Sequence, residues 1–337
     1  MTTARQRDVL VHALAADAKL EVEETANRGH AAALACRAMR DGVDVVIALG
    51  GDGTVNEVVN GLLTDGVHPQ VPALGVVPGG STNVFARALG LPNDPVEATS
   101  VLIDAMATGR SRRIGLGRAD ERWFLFTAGL GYDAAVVAAV EAHRRRGHRS
   151  THSLYVRTAI RTLLAQDRRH PQLTMELPDG RCIEDLYMVL VNNCDPWTFL
   201  GNRPVSPTPH ASFETGLDVY ARNRMGVAGI AWSAARMTRL RSLAVESPLA
   251  EARDPDESPA PLTGPATSRR PGLGRLTDRS RWPHPSQRSF GALVEHDLAE
   301  VVLRSTRPMP FQVDGDALEE RSYVRFLGVP NAIEVFV

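Results

Sequence analysis

Apolar residues in the N-terminal third recur with two alternating periods. In "RQRDVLVHALAAD" they fall at helical spacing, with Val9, Leu10, Ala13 and Leu14 on one face. "KLEVEET" then alternates like a short strand, and "NRGHAAALACRAMRDG" predicts a second helix closed by Gly42. "VDVVIALG" is an unbroken apolar run of the kind buried on both faces of a parallel sheet. A helix after Gly53, a strand "ALGVVP", the loop "GGSTN" and a helix "VFARALGLP" follow. "DPVEATSVLIDAMATG" predicts one more helix, with Asp94 placed to cap it and Pro95 at its first position. Elements alternating at these lengths imply parallel strands covered by helices, an α/β domain over residues 1–112.

From Ser111 onward the pattern is one of strands. "RRIGLGRA", "RWFLFTAGLG", "DLYMVLVNN", "LDVYARN", "LAEVVLRS", "PFQVDGD" and "AIEVFV" are short and mostly alternating, with helical patterns around Ala134–His143 and Thr151–Leu164. They predict a mainly antiparallel β domain over residues 113–337. Residues 251–289 are rich in proline, arginine, serine and glycine and poor in aliphatic side chains, which predicts a disordered insertion between strands.

Composition narrows the functional classes. A chain of 337 residues is long enough for two domains, each with its own core. Its net charge of −1 supplies no general attraction to nucleic acid, so no nucleic-acid partner is expected. Cys36, Cys182 and Cys194 have no metal-ligand spacing and read as the reduced thiols of a cytoplasmic protein. No apolar run reaches the roughly 20 residues of a membrane helix, so membrane contact is expected to be peripheral. The arginine-rich "HRRRGHRSTH", His143–His152, suits either a solvated helix end or anionic headgroups. Tyr132, Tyr155, Trp123 and Trp197 suit either the core or an apolar lipid cleft. Lys19 is the only lysine, and it lies in neither a Gly-Lys-Ser/Thr turn nor a kinase strand. P-loop NTPases and protein kinases, which need such a lysine on the phosphates, are therefore not expected.

The candidate chemistry lies in two glycine turns. Gly50, Gly51 and Gly53 end a strand and open a helix, with Asp52 between them. Thr54 and Glu57 fit a capping box in which Thr54 is the N-cap. Such a turn presents backbone N–H groups and a positive dipole end, suited to phosphate. "VVPGGSTNVFARAL" repeats the arrangement through Gly80 and Ser81. Two such loops at the carboxyl ends of neighbouring strands form the crevice where α/β sheets bind ligands. Thr25 follows the short "KLEVEE" strand and by itself is an ordinary loop residue.

"GGDGTVNEVVNGL" followed by "VPGGSTNVFARALGLP" resembles the diacylglycerol kinase catalytic-domain family, bacterial lipid kinases related to sphingosine kinases. The resemblance continues in "FTAGLGYDA", "FLGNRPVSP", "ASFETGLDV" and "FQVDGDALEERSYVRFLGVPNAIEV". It implies an NAD-kinase-like, Rossmann-like α/β domain, then a β-sandwich, with the active site in the cleft between them. It further implies transfer of the ATP γ-phosphoryl to a hydroxyl of a diacylglycerol-like lipid at the inner membrane face. ATP contacts would carry over to Thr25, Gly50, Gly51, Asp52, Gly53, Thr54, Asn56, Glu57, Gly80 and Ser81. Asp52 and Asp133 would organise active-site Mg²⁺ through water, and Asp316 would be the general base.

Departures from the family pattern accompany the likeness. The chain begins after the family's opening strand and Asn-Pro-x-x-Gly turn, and it stops before the C-terminal helix. The base position, most often Glu, is Asp316. At the family's structural Mg²⁺ turn, Glu214, Thr215 and Leu217 stand where an Asp-Gly-Leu turn is usual. These differences keep open a nucleotide- or lipid-binding protein without kinase activity. NAD kinases share GGDGT, but the "TVNEVVNGL" and "STNVFARALG" continuations argue against one. A homodimer is compatible with the sequence.

Overall fold

In a computed structural model that describes residues 8, 11–15, 19–145, 152–165, 170–239 and 291–337, β1 (Val45–Gly50) lies parallel to β2 (Ala73–Pro78). Val45 faces Ala73 and Gly50 faces Pro78, so both strands end at one level and their glycine loops emerge side by side. Helix α1 (His30–Arg40) buries Ala31, Ala35 and Met39, and α2 (Asp52–Leu62) buries Val55, Val58, Val59 and Leu62. Each of the larger side chains contributes about 1.5–3 kcal/mol of burial. The two helices cross closely: a Cβ added to Gly61 would lie 2.2 Å from the Ala32 carbonyl oxygen. Helix α3 (Val84–Ala88) follows the second loop, and α4 (Pro95–Thr108) is capped by the Asp94 carboxylate on the Val96 and Glu97 amides, as its sequence predicts.

"KLEVEET" does not form the expected strand; residues 19–26 carry no strand. Leu20 is half-buried against the core, while Val22 is 50% exposed and the glutamates face solvent, so the stretch has almost no apolar face to pair. Residues 11–14 are helical, and the rest of the first predicted helix lies mostly outside the described residues, as does the insertion at 251–289.

β3 (Ser111–Ala119), β4 (Arg122–Phe124), β5 (Thr127–Gly131), β6 (Leu173–Glu176), β7 (Cys182–Leu186) and β8 (Met188–Asn192) open the antiparallel part. Helices α5 (Tyr132–Arg145) and α6 (His152–Ala165) are inserted between β5 and β6. β9 (Thr198–Leu200) and β10 (Arg203–Val205) form a separate hairpin. β11 (Leu217–Arg222) is followed by α7 (Val227–Arg239), β12 (Ala292–Leu298), β13 (Glu300–Val313) and β14 (Asp316–Phe336). The main sheet runs β1-β2-β14-β13-β5-β8-β11-β12.

β14 joins the two parts. Its first half pairs antiparallel with β13, its second half with β3, and Val335 lies parallel beside Leu74 of β2. The expected boundary at 112 thus falls at the start of β3, whose Ile114 and Leu116 pack in one core with Val55, Val59, Ile333 and Val335. A second core lies among β5, β6, β8, β11, β13 and the first half of β14. Leu163 of α6 and Ile230 and Met237 of α7 cover Met188, Leu190 and Tyr220.

Candidate functional site

Asp52 reaches from the first glycine turn to the second. Its carboxylate accepts hydrogen bonds from the backbone N–H groups of Val84 and Phe85, both at 3.0 Å, and so caps α3. Enclosure raises its pKa, and the two amides together with the charge of Arg87 offset part of that rise. The loops touch: a Cβ on Gly80 would lie 2.7 Å from the Gly51 Cα, and the Gly79 N–H donates to the Gly50 carbonyl at 2.8 Å. Glycine is required there for close approach. Asn83, with φ +51°, closes the second loop by accepting from the Gly80 N–H and donating to the Gly80 carbonyl.

The expected capping box is not formed. Helix α2 begins at Asp52 with Gly51 as its N-cap, whose carbonyl accepts from the Thr54 and Val55 amides. Thr54 is therefore already inside the first turn. The Glu57 carboxylate instead accepts from the Gly29 N–H at 2.8 Å, tying α2 to the start of α1. A glycine-rich turn winds into helix earlier than a side-chain cap requires, and that shift frees Glu57 for a tertiary bond.

The N-terminus of α2 opens on a cleft of about 470 Å³. Thr25, Gly53, Thr54 and Glu57 line one wall, and Asp316, at the start of β14, faces them. Five residues expected at the site thus converge, from segments far apart in the chain. Asn27, Arg28 and Glu141 complete the polar lining, and none of the three was expected from sequence. Arg28 bridges Glu141 at 3.0 Å and Asp316 at 2.8 Å. The Asp316 charge is the largest cause holding the guanidinium pKa above its ordinary value. Asp314 and Gly315, with φ +48° and +79°, make the two-residue hairpin turn that their sequence predicts and set Asp316 opposite Val313.

Other expected residues are built into the frame around the cleft. Asn56 is 1% exposed. It donates to the Trp123 carbonyl and to Asp314, and accepts from Arg122. Asp314 also accepts from the Leu125, Phe126 and Thr127 amides, and burial pushes its carboxyl up to about 6 against those hydrogen bonds. Asn60, one turn after Asn56, accepts from the Trp123 N–H. The polar pair at i and i+4 amid valines was the available sequence signal for this junction. Asp133 is buried and accepts from Gln312 at 3.1 Å, and desolvation pushes its carboxyl up to about 7. Gln312 in turn accepts from the Gly315 N–H, so Asp133 supports the turn that carries Asp316. Gly50, Gly51, Gly80 and Ser81 lie in the two adjoining turns.

The expected Mg²⁺ positions are engaged by groups of the protein itself. Glu214 is paired with Arg112 at 2.8 Å and accepts from the Ser212 hydroxyl, while the Thr215 hydroxyl donates to the Ser212 carbonyl. Leu217 is fully buried in β11. In this arrangement the Glu214 carboxylate serves Arg112 and Ser212. Both Asp52 oxygens take N–H groups and Asp133 faces Gln312. Among the described residues no three His, Cys, Asp or Glu side chains cluster at metal-binding distance.

Away from the cleft, α6 presents Arg157, Ile160, Arg161 and Leu164 to solvent, with Ile160 53% and Leu164 61% exposed. Trp232 of α7 is also exposed, with Arg236 stacked on its ring. Trp123 lies in the core shared with Val55 and Ile333, whereas Tyr132 and Trp197 pack against the separate cluster of Leu163, Met188 and Tyr220. The Tyr155 side chain and residues 146–151 of the arginine-rich stretch lie outside the described residues. No described helix is long and apolar enough to cross a membrane.

The family model of the diacylglycerol kinase catalytic domain matches residues 3–119. Diacylglycerol kinases of Staphylococcus aureus strains JH9 and Newman are each 40% identical to this chain over 124 residues. That stretch is 37% of this chain and 37% of theirs, so the match spans little more than a third of the relatives' length. A crystal structure of a diacylglycerol kinase from Bacillus anthracis str. Sterne superposes with a TM-score of 0.59 at 17% identity, covering 96% of this chain and 87% of that one. A second chain from the same organism gives 0.63 at 16%, over 98% and 91%. At such identities the likeness is one of fold, and it extends through both the parallel and the antiparallel parts.

Proposed function

We propose that this chain, whose residues 3–119 match the model of the diacylglycerol kinase catalytic-domain family, is a lipid kinase that moves the γ-phosphoryl of ATP to a lipid hydroxyl. The observation that carries the reading is the cleft: a glycine turn and helix N-terminus on one wall, a hairpin carboxylate on the other, and an arginine between them. Phosphoryl transfer needs positioning and charge neutralisation more than covalent catalysis. The α2 N-terminus and Arg28 supply that neutralisation in a chain whose one lysine lies elsewhere.

In this reading Asp316 takes the proton of the lipid hydroxyl as its oxygen bonds to the γ-phosphorus. The bond from that phosphorus to the β,γ-bridging oxygen breaks, and its electron pair leaves with ADP. In this reading Asp52 holds the two glycine turns together, and Asp133 supports the hairpin turn that carries Asp316. Magnesium is read as the counter-ion arriving with the triphosphate, and no resident ion is assigned. The exposed arginine-and-aliphatic face of α6 supports peripheral contact with an anionic membrane at the cytoplasmic side, where the acceptor lipid would be met.

The test is incubation with γ-labelled ATP, Mg²⁺ and mixed micelles containing diacylglycerol, phosphatidylglycerol, a sphingoid base or a glycolipid in turn. A labelled lipid is expected, with labelling reduced about 10²-fold or more by Asp316→Asn. Absence of label from every acceptor refutes the reading.

A further inference from the structure

Arg28 is the one cation among the side chains lining the cleft, and three carboxylates line it as well: Glu57, Glu141 and Asp316. Its guanidinium spans two of them, with one nitrogen on Glu141 and the other on the Asp316 oxygen Oδ2. Glu57 is held separately by the Gly29 N–H. The Arg28 side chain is 55% exposed and that of Asp316 28%, and ion pairs open to water to this degree are readily exchanged. Gly29, next in the chain, has φ +85° and is followed at once by α1. Arg28 thus stands on a loop stub whose long side chain can swing while the helix behind it stays fixed. A triphosphate entering at the α2 N-terminus would bring a multiply charged acceptor for the same planar fork, against single carboxylates.

We propose that Arg28 is a phosphate-responsive latch, which holds Asp316 until a nucleotide's phosphates draw it away and leave that carboxylate free for the acceptor hydroxyl. The inference deepens the kinase reading and rests on it for the role of Asp316. It makes Arg28 a positioning residue for the base as well as a phosphate ligand. It also accounts for an arginine bonded to the carboxylate that faces the phosphate turn, an arrangement that would otherwise block the base.

The test is a double-mutant cycle read by calorimetric binding of ATP in EDTA, which removes metal bridging. The four proteins are wild type, Arg28→Ala, Asp316→Asn and the double variant, each checked for unchanged thermal melting. Arg28→Ala weakens ATP binding by about 10-fold, the scale of one lost charge-assisted contact, and Arg28→Lys retains part of it. Asp316→Asn tightens binding in the wild-type background, because the guanidinium no longer has to leave a carboxylate, and tightens it less beside Arg28→Ala. If Arg28 is instead a fixed bridge, Asp316→Asn helps at least as much in the Arg28→Ala background, where the carboxylate stands unneutralised. That order overturns the latch. Failure of wild type to bind ATP in EDTA overturns the latch, and failure to bind it with Mg²⁺ restored overturns the kinase reading as well. The expected coupling without lipid labelling keeps the phosphate-driven exchange of Arg28 and refutes the kinase reading together with the role of Asp316 as base.

Discussion

Replacing Asp314 by Asn separates the two roles of a buried carboxylate, as hydrogen-bond acceptor and as charge. Oδ1 accepts from the Phe126 and Thr127 amides at 3.0 and 3.1 Å, and Oδ2 from Leu125 and Asn56 at 2.8 and 2.7 Å. In Asp314→Asn one oxygen keeps its two donors, while the new NH₂ faces two donors that have lost their acceptor. At about 1–3 kcal/mol for each buried donor left unsatisfied, the loss is on the order of 4 kcal/mol. Against it stands relief of the buried charge. A rise from 3.8 to about 6 is roughly two pKa units, or about 3 kcal/mol once the group is ionised.

The sign of the pH dependence follows. A carboxyl with a raised folded pKa holds its proton more tightly when folded, so its contribution is full below the unfolded value and is lost as pH rises through the folded one. The deficit of Asp314→Asn should therefore shrink by up to about 3 kcal/mol between pH 4 and pH 7. It should fall from about 4 kcal/mol to about 1 kcal/mol, measured by urea unfolding followed by tryptophan fluorescence at several pH values. A deficit that grows with pH would refute the reasoning, because it would mean the four donors more than compensate the desolvated charge.

Two further outcomes are expected. Gly61→Ala puts a methyl on the Ala32 carbonyl at the α1–α2 crossing and should cost about 2 kcal/mol or more, seen as a lower thermal midpoint; an unchanged midpoint would show that the helices separate freely. Ile160→Asp with Leu164→Asp should lower co-sedimentation with phosphatidylglycerol vesicles about 10-fold or more while leaving ATP binding unchanged, and equal sedimentation would remove α6 from the membrane contact.

The parts of the site legible in sequence are those whose chemistry is local. Glycines at 50, 51 and 53 after an apolar run specify a strand, a tight turn and a helix start whatever the rest of the chain does. Asp94-Pro95 and Asp314-Gly315 likewise carry their cap and turn within a few residues, and both form as read. Misreadings arose where a local pattern competes with distant partners. Thr54 and Glu57 satisfy the spacing of a capping box, but Gly51 starts the helix and Gly29 claims the glutamate. Leu20 and Val22 alternate like a strand, yet too little of the stretch is apolar to hold it in the sheet.

The sequence by itself determined the two glycine turns, the parallel-then-antiparallel order of the chain and the carboxylates available for chemistry. Only the tertiary structure decided what each carboxylate does. Asp52 and Asp133 are bound to N–H groups of the frame, whereas Asp316 faces the cleft beside Arg28, some 290 residues earlier in the chain. The reason is β14, which carries Asp316 at one end and pairs at the other with the strand that ends in the second glycine loop. Side-chain chemistry is written residue by residue, but the distance between two such groups is set by strands that pair across the whole chain.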